Sequence, residues 1–247
     1  MKNSIDPAFI RKNSKTQILF LFTRSLTSVG AHIILFVFVA VITPLKTEHP
    51  VTLGIFGFSI CLISVIRLVI AKKISKIYDN NPKIWHSLFS GLNYLTAALW
   101  GALAVVTAVN YPLEWPFMFF LVINCGLASG ATNSLGPSFA VSRNFTVLML
   151  APIAAWGFIY GSHLSIGVGV LCLFCTLMFI RMAKDNFSWY WEGVQKNDRI
   201  SRNTNAMSEI LTNLENNAKD LNDSAVDLTH FSKEMNDNAA DMTAKLE

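Results

Sequence analysis

Apolar residues in this chain come first in long unbroken runs and later in a narrow repeating stripe. A hydrocarbon core about 30 Å thick takes about 20 apolar residues of helix to cross. Six runs reach or approach that length, at residues 25–44, 51–70, 86–109, 116–134, 145–161 and 165–183. Turn-forming residues separate them: Pro44 with Pro50, Asn80-Asn81-Pro82, Tyr111-Pro112, Gly136-Pro137 and Gly161-Ser162. The fifth run is short and holds Pro152, which a membrane helix tolerates where neighbouring helices satisfy the freed carbonyl. From Ile200 the pattern changes to a seven-residue repeat. With Ile200 at d, the core positions continue through Thr204, Met207, Leu211, Leu214, Ala218, Leu221, Ala225, Leu228, Ser232, Met235, Ala239, Met242 and Leu246. Twelve of these fourteen positions are apolar, and polar side chains fill most of the rest, which is the pattern of a left-handed coiled coil.

The expected fold is therefore an all-α membrane protein, a six-transmembrane-helix bundle followed by a long cytoplasmic coiled-coil helix. Its expected divisions are a cytoplasmic amino-terminal segment at 1–24, a six-span sensor region at 25–183, a juxtamembrane linker at 184–199 and a coiled-coil signalling helix at 200–247. Composition agrees with this division: 52% of the 247 residues are hydrophobic and only 15% charged, well below the quarter that soluble domains carry. Residues 1–183 hold 13 Lys and Arg against 4 Asp and Glu, and residues 184–247 hold 7 against 12. The pattern excludes an ordinary soluble enzyme and a nucleic-acid binder, whose basic surface does not sit on apolar runs.

Loop charges set the expected orientation. Lys2, Arg11, Lys12 and Lys15 precede the first run, Lys72, Lys73, Lys76 and Lys83 follow the second, Arg143 follows the fourth and Arg181 ends the sixth. The opposite connections carry Lys46 alone, so the positive-inside rule places both termini in the cytoplasm, in a multi-pass bacterial inner-membrane protein. Arg24 and Arg67 fall near the cytoplasmic ends of the first two runs and are read as snorkelling anchors. The polar first ten residues and the long first run, which lacks a small-residue cleavage site, speak against a cleavable signal peptide.

The six runs contain no Asp or Glu, which disfavours an ion-driven transporter. No nucleophile, metal cluster or phosphate loop is recognisable, so no enzyme and no cofactor are expected. Cys172-x-x-Cys175 lacks a second pair and reads as core packing, and His32 and His86 lack any haem motif. Asn93, Trp100, Asn124 and Trp156 are the candidates for a small cavity that takes an amphipathic ligand; interhelical hydrogen bonding is the alternative for each. Gly126-x-x-x-Gly130 in the fourth run marks a helix-packing face, within one bundle or between protomers. Trp189, Tyr190 and Trp191 stand just beyond the sixth run, where aromatic side chains anchor a helix at the headgroups.

Two segments resemble known families. The stretch from Ala218 to Lys245, with Leu-Asn-Asp-Ser-Ala, Ser-Lys-Glu-Met and Asn-Ala-Ala-Asp-Met-Thr, resembles the start of the descending signalling helix of bacterial methyl-accepting chemotaxis proteins. The membrane half, with Leu92-Asn-Tyr-Leu-Thr-Ala-Ala-Leu-Trp-Gly and Gly126-Leu-Ala-Ser-Gly-Ala, is similar to six-helix sensor regions ahead of histidine kinases, diguanylate cyclases and some chemoreceptors. The sustained heptad register predicts a parallel homodimer, held in the lipid bilayer by the six runs. The resemblance implies that a chemotaxis kinase and its coupling protein bind a hairpin tip that would lie downstream, so that residues 200–247 begin a truncated output domain. The expected function is a membrane sensory input module of a chemoreceptor. The alternatives are the input domain of a sensor histidine kinase or diguanylate cyclase, and a small-molecule transporter or membrane enzyme. His230 is followed by Phe231 and Ser232, without the acid and proline of a phosphoacceptor box.

Overall fold

Proline sets the start of three long helices, because its fixed φ suits the first turn and its missing N–H has no partner there in any case. The computed structural model describes residues 7–244. Its helices are α1 (Pro7–Lys12), α2 (Ser14–Ile42), α3 (Leu45–Glu48), α4 (Pro50–Ile77), α5 (Pro82–Asn110), α6 (Trp115–Ser134), α7 (Phe139–Tyr160) and α8 (His163–Ala244), with a single 3-10 turn at Tyr78–Asn80. No strand occurs among the described residues. Six of the helices, α2, α4, α5, α6, α7 and α8, are long and apolar enough to cross a membrane. Pro50, Pro82 and Pro116 occupy the first turns of α4, α5 and α6. Gly161 ends α7 in the left-handed conformation, φ 76°, which glycine adopts without a Cβ clash. Lys2, counted among the loop charges, and Leu246, the last expected heptad core position, lie outside the described residues.

The chain forms two compact units, Met1–Glu192 and Gly193–Glu247. In the first, α5 and α7 make the most extensive pair, α2 packs on α4, and α6 packs on both α5 and α7. Trp100, Leu103, Phe117, Phe120, Met149 and Ile153 are fully enclosed at the centre. The outward faces are apolar as well: Val37 and Phe38 on α2, Ile55 and Phe58 on α4, Phe174 and Leu177 on α8 are all exposed, and Ile159 on α7 reaches 84%. In the second unit every core position of the heptad from Ile200 to Met242 is exposed, Leu221 at 75%.

Several boundaries differ from those read from hydropathy. The first long helix begins at Ser14 rather than residue 25, because Ile18, Leu21 and Phe22 bury one face of a turn too polar to register as a membrane run. The fifth begins at Phe139, with Arg143 and Asn144 inside the helix and Asn144 donating to the Tyr94 hydroxyl. Residues 184–199 are helical and continuous with the stretches on either side, and the division between units falls after Glu192.

Close helix approach occurs at glycines other than the expected pair. A Cβ on Gly101 of α5 would lie 2.5 Å from the Leu148 carbonyl oxygen of α7, and one on Gly157 of α7 would lie 2.5 Å from the Ser165 carbonyl oxygen of α8. Gly126 and Gly130 have nothing within 4 Å of where a Cβ would sit, so among the described residues no backbone packs on that face. Gly101→Ala should therefore destabilise the first unit by about 1–3 kcal/mol, as overpacking against backbone does. Gly126→Ala should leave the unfolding midpoint in mild detergent unchanged. Equal midpoints for both variants would contradict this packing.

Candidate ligand cavity and its link to α8

Tight pairing of α5 with α7 and of α2 with α4 leaves space between α2 and α6, where small side chains fail to fill it. Ala31 on α2 and Gly126, Gly130 and Ala131 on α6 line a cavity of about 560 Å³. Leu35, Val122, Ile123, Leu127 and Phe145 complete its apolar wall, and Arg24, Ser28, His32 and Asn93 supply polar groups. Ligand cavities commonly have this size and this balance, mostly apolar with a few placed polar groups.

Of the four residues expected to line a cavity, Asn93 does so, and its amide donates to the Phe89 carbonyl one turn back at 2.8 Å. Trp100, Asn124 and Trp156 lie elsewhere in the core. Trp100 stands beside His32, ring centres 6.1 Å apart, and its indole nitrogen has no hydrogen-bond partner among the described residues. Asn124 donates to the Phe120 carbonyl at 2.9 Å and leaves its own carbonyl oxygen without one. Trp156 packs between Phe117 and Tyr160 at 4.9 and 5.2 Å.

His32 is 4% exposed, and its Nδ1 has no partner among the described residues. Arg67 is 3% exposed and donates to the Ser28 hydroxyl at 3.1 Å. This corrects its reading as a snorkelling anchor: a hydroxyl on the facing helix draws the guanidinium inward. Arg24 fits that reading better, being exposed and lying over the Phe20 ring at 4.9 Å.

The helix that forms one wall of the cavity, α6, also leads into the seat of α8. The carboxyl end of α6 and the turn after it present carbonyl oxygens that no helix satisfies internally. Asn186 of α8 donates to the Thr132 carbonyl at 3.1 Å, and the Trp191 indole donates to the Pro137 carbonyl at 3.2 Å. Gln17 of α2 donates to the same Pro137 oxygen at 2.6 Å. Tyr190 packs on Phe20, ring centres 5.0 Å apart, and Phe20 in turn carries Arg24. Trp191 is 0% exposed and meets Phe9 edge-on, so it departs from the expected headgroup anchor, whereas Trp189 points outward. Sequence reasoning missed Gln17, Pro137 and Asn186. The Gly136-Pro137 turn was their one visible signal, and it marks a break without naming what docks there.

At the other end of the helices Tyr111 donates to Glu48 at 2.6 Å, joining α3 to the turn after α5. Burial pushes the phenol up to about 12, and the hydrogen bond and charge of Glu48 add to this, so the group stays protonated as a donor.

The fold and this site define an all-helical chain with six helices of membrane-crossing length and a mostly apolar cavity between α2 and α6. Comparison with family models, curated proteins and solved structures finds no match.

Proposed function

We propose that this chain is the membrane sensory input module of a chemoreceptor-like signal transducer, dimeric through its cytoplasmic helix. The observation that carries the reading is α8, one uninterrupted helix that begins in an apolar stretch of spanning length and ends in a heptad stripe. Exposed apolar faces on α2, α4 and α7 suit acyl chains, because water-facing patches of this extent are rare on soluble monomers. The exposed stripe from Ile200 to Met242 suits a second copy of itself. Loop charge supports a bacterial inner-membrane location with cytoplasmic termini. The resemblance of the stretch after Ala218 to chemoreceptor signalling helices supports the output class.

In this mechanism a stimulus changes how α6 packs on α2, and the bonds from Asn186 and Trp191 pass the displacement to α8. Shifts of about 1–2 Å suffice to bias a helix pair with two packings. The module performs no chemistry of its own. Cysteines placed at Leu214 or Leu221 in lipid-reconstituted protein should form disulfides between protomers several-fold faster than cysteines at Asn217 or Asn222. Equal rates at all four positions would overturn the paired register.

A further inference from the structure

The cavity has a charged end and apolar walls, and that asymmetry specifies a ligand. Arg24 places a permanent positive charge at one end, and no Asp or Glu lines the cavity among the described residues. The Arg24 guanidinium is exposed, and its contact to a carbonyl, that of Asn133, is long at 3.4 Å. Most of its five N–H donors therefore remain for an anion, which a carboxylate engages two at a time. Eight residues on, about 12 Å along the helix axis, the enclosed His32 lines the same space with its Nδ1 unpartnered. That nitrogen is sealed from the open space, so a ligand oxygen reaches it through a turn of the imidazole ring, which supplies the partner that a buried polar atom calls for. Thr27, Ala31, Val122, Gly126 and Gly130 are exposed, so the cavity opens along its flank between α2 and α6. On the membrane reading proposed above, on which this inference rests, that flank faces acyl chains. At about 30 Å³ for each water-sized unit, 560 Å³ holds on the order of twenty non-hydrogen atoms. That matches one acyl chain with its head.

We propose that this groove binds a single-chain fatty acid bearing a mid-chain oxygen, its carboxylate on Arg24 and its oxygen on His32. The acid enters sideways from the inner leaflet, and the chain lies along Leu35, Val122 and Ile123. Occupation fills the gap between α2 and α6 and so acts on the same α6 end that holds Asn186 and Trp191.

The test uses the full chain in phosphatidylcholine proteoliposomes and a photoactivatable stearate with a mid-chain hydroxyl. Adducts should fall on α2 and α6 and be competed by the unlabelled hydroxystearate. Arg24→Gln should weaken binding about tenfold, with Arg24→Lys retaining most of it. His32→Phe should abolish the preference for hydroxystearate over plain stearate while plain stearate still binds. Gly130→Leu should block both, with an unchanged unfolding midpoint showing that the bundle is intact. Undiminished labelling of Arg24→Gln, no preference for the hydroxyl in the unmodified protein, adducts on other helices, or equal competition by phosphatidylglycerol would each overturn the proposal. Absent binding in protein whose Leu214→Cys form still pairs would sink this inference and leave the sensory reading standing. Binding without pairing would do the reverse.

Discussion

Replacing Trp191 by alanine should lower the stability of the first unit by about 3–5 kcal/mol, the usual cost of deleting a large aromatic side chain from a packed site. The side chain is fully enclosed, meets Phe9, Phe187 and Tyr190, and donates to the Pro137 carbonyl. Trp191→Phe separates the two contributions. It keeps most of the packing and loses one hydrogen bond, and Pro137 keeps its bond from Gln17, so the cost should fall to about 0.5–1.5 kcal/mol. Trp189→Ala serves as the control, since that side chain points outward. Unfolding midpoints in mild detergent should rank Trp189→Ala near the unmodified protein, Trp191→Phe below it and Trp191→Ala lowest. If the two alanine variants unfold alike, α8 is not held at the α6–α7 turn. On the proposed mechanism, Trp191→Ala also removes the path from the cavity to the output helix.

The second large effect is expected at Gly193, the first residue beyond the division between the units. Proline there removes a backbone donor and its ring clashes with the preceding turn, which costs about 3 kcal/mol in a helix interior. Gly193→Pro should raise amide hydrogen exchange and protease cutting around residues 189–197. Cysteines at Leu214 and Leu221 should still cross-link, because the heptads lie well beyond the break. Addition of a ligand that changes the cross-linking rate in the unmodified protein should then change nothing. A ligand response preserved in Gly193→Pro would show that the signal does not travel along α8.

Hydropathy marked every helix of spanning length and the connections between them, because each depends on residues adjacent in the chain. It placed the starts of two helices late for a physical reason. Residues 14–24 and 139–144 are helical with polar groups on one face, and what holds them is burial of the other face, as with Ile18, Phe22 and Val141. The heptad stripe was equally legible, and the cross-linking rates decide whether it pairs. Gly126 and Gly130 show the limit of spacing as a signal. A small residue removes its own bulk, and a neighbouring backbone either fills the space, as at Gly101, or leaves it open, as here. No local pattern distinguishes those outcomes.

The aromatic cluster carries the same lesson at the scale of one residue. Positions two apart on a helix point about 200° apart, so Trp189 and Trp191 share a neighbourhood in sequence and face opposite surroundings in the fold. Likewise Arg67 reads as a headgroup anchor until Ser28 is seen across the gap.

Helix length, helix order and the change from apolar runs to a seven-residue stripe are properties of neighbours along the chain, and the amino-acid order was enough to establish them. The cavity, the inward turn of Arg67 and the seating of Trp191 on Pro137 came only with the fold. Each of these depends on which faces of helices distant in sequence come to lie against one another, and that follows from the packing of the whole unit.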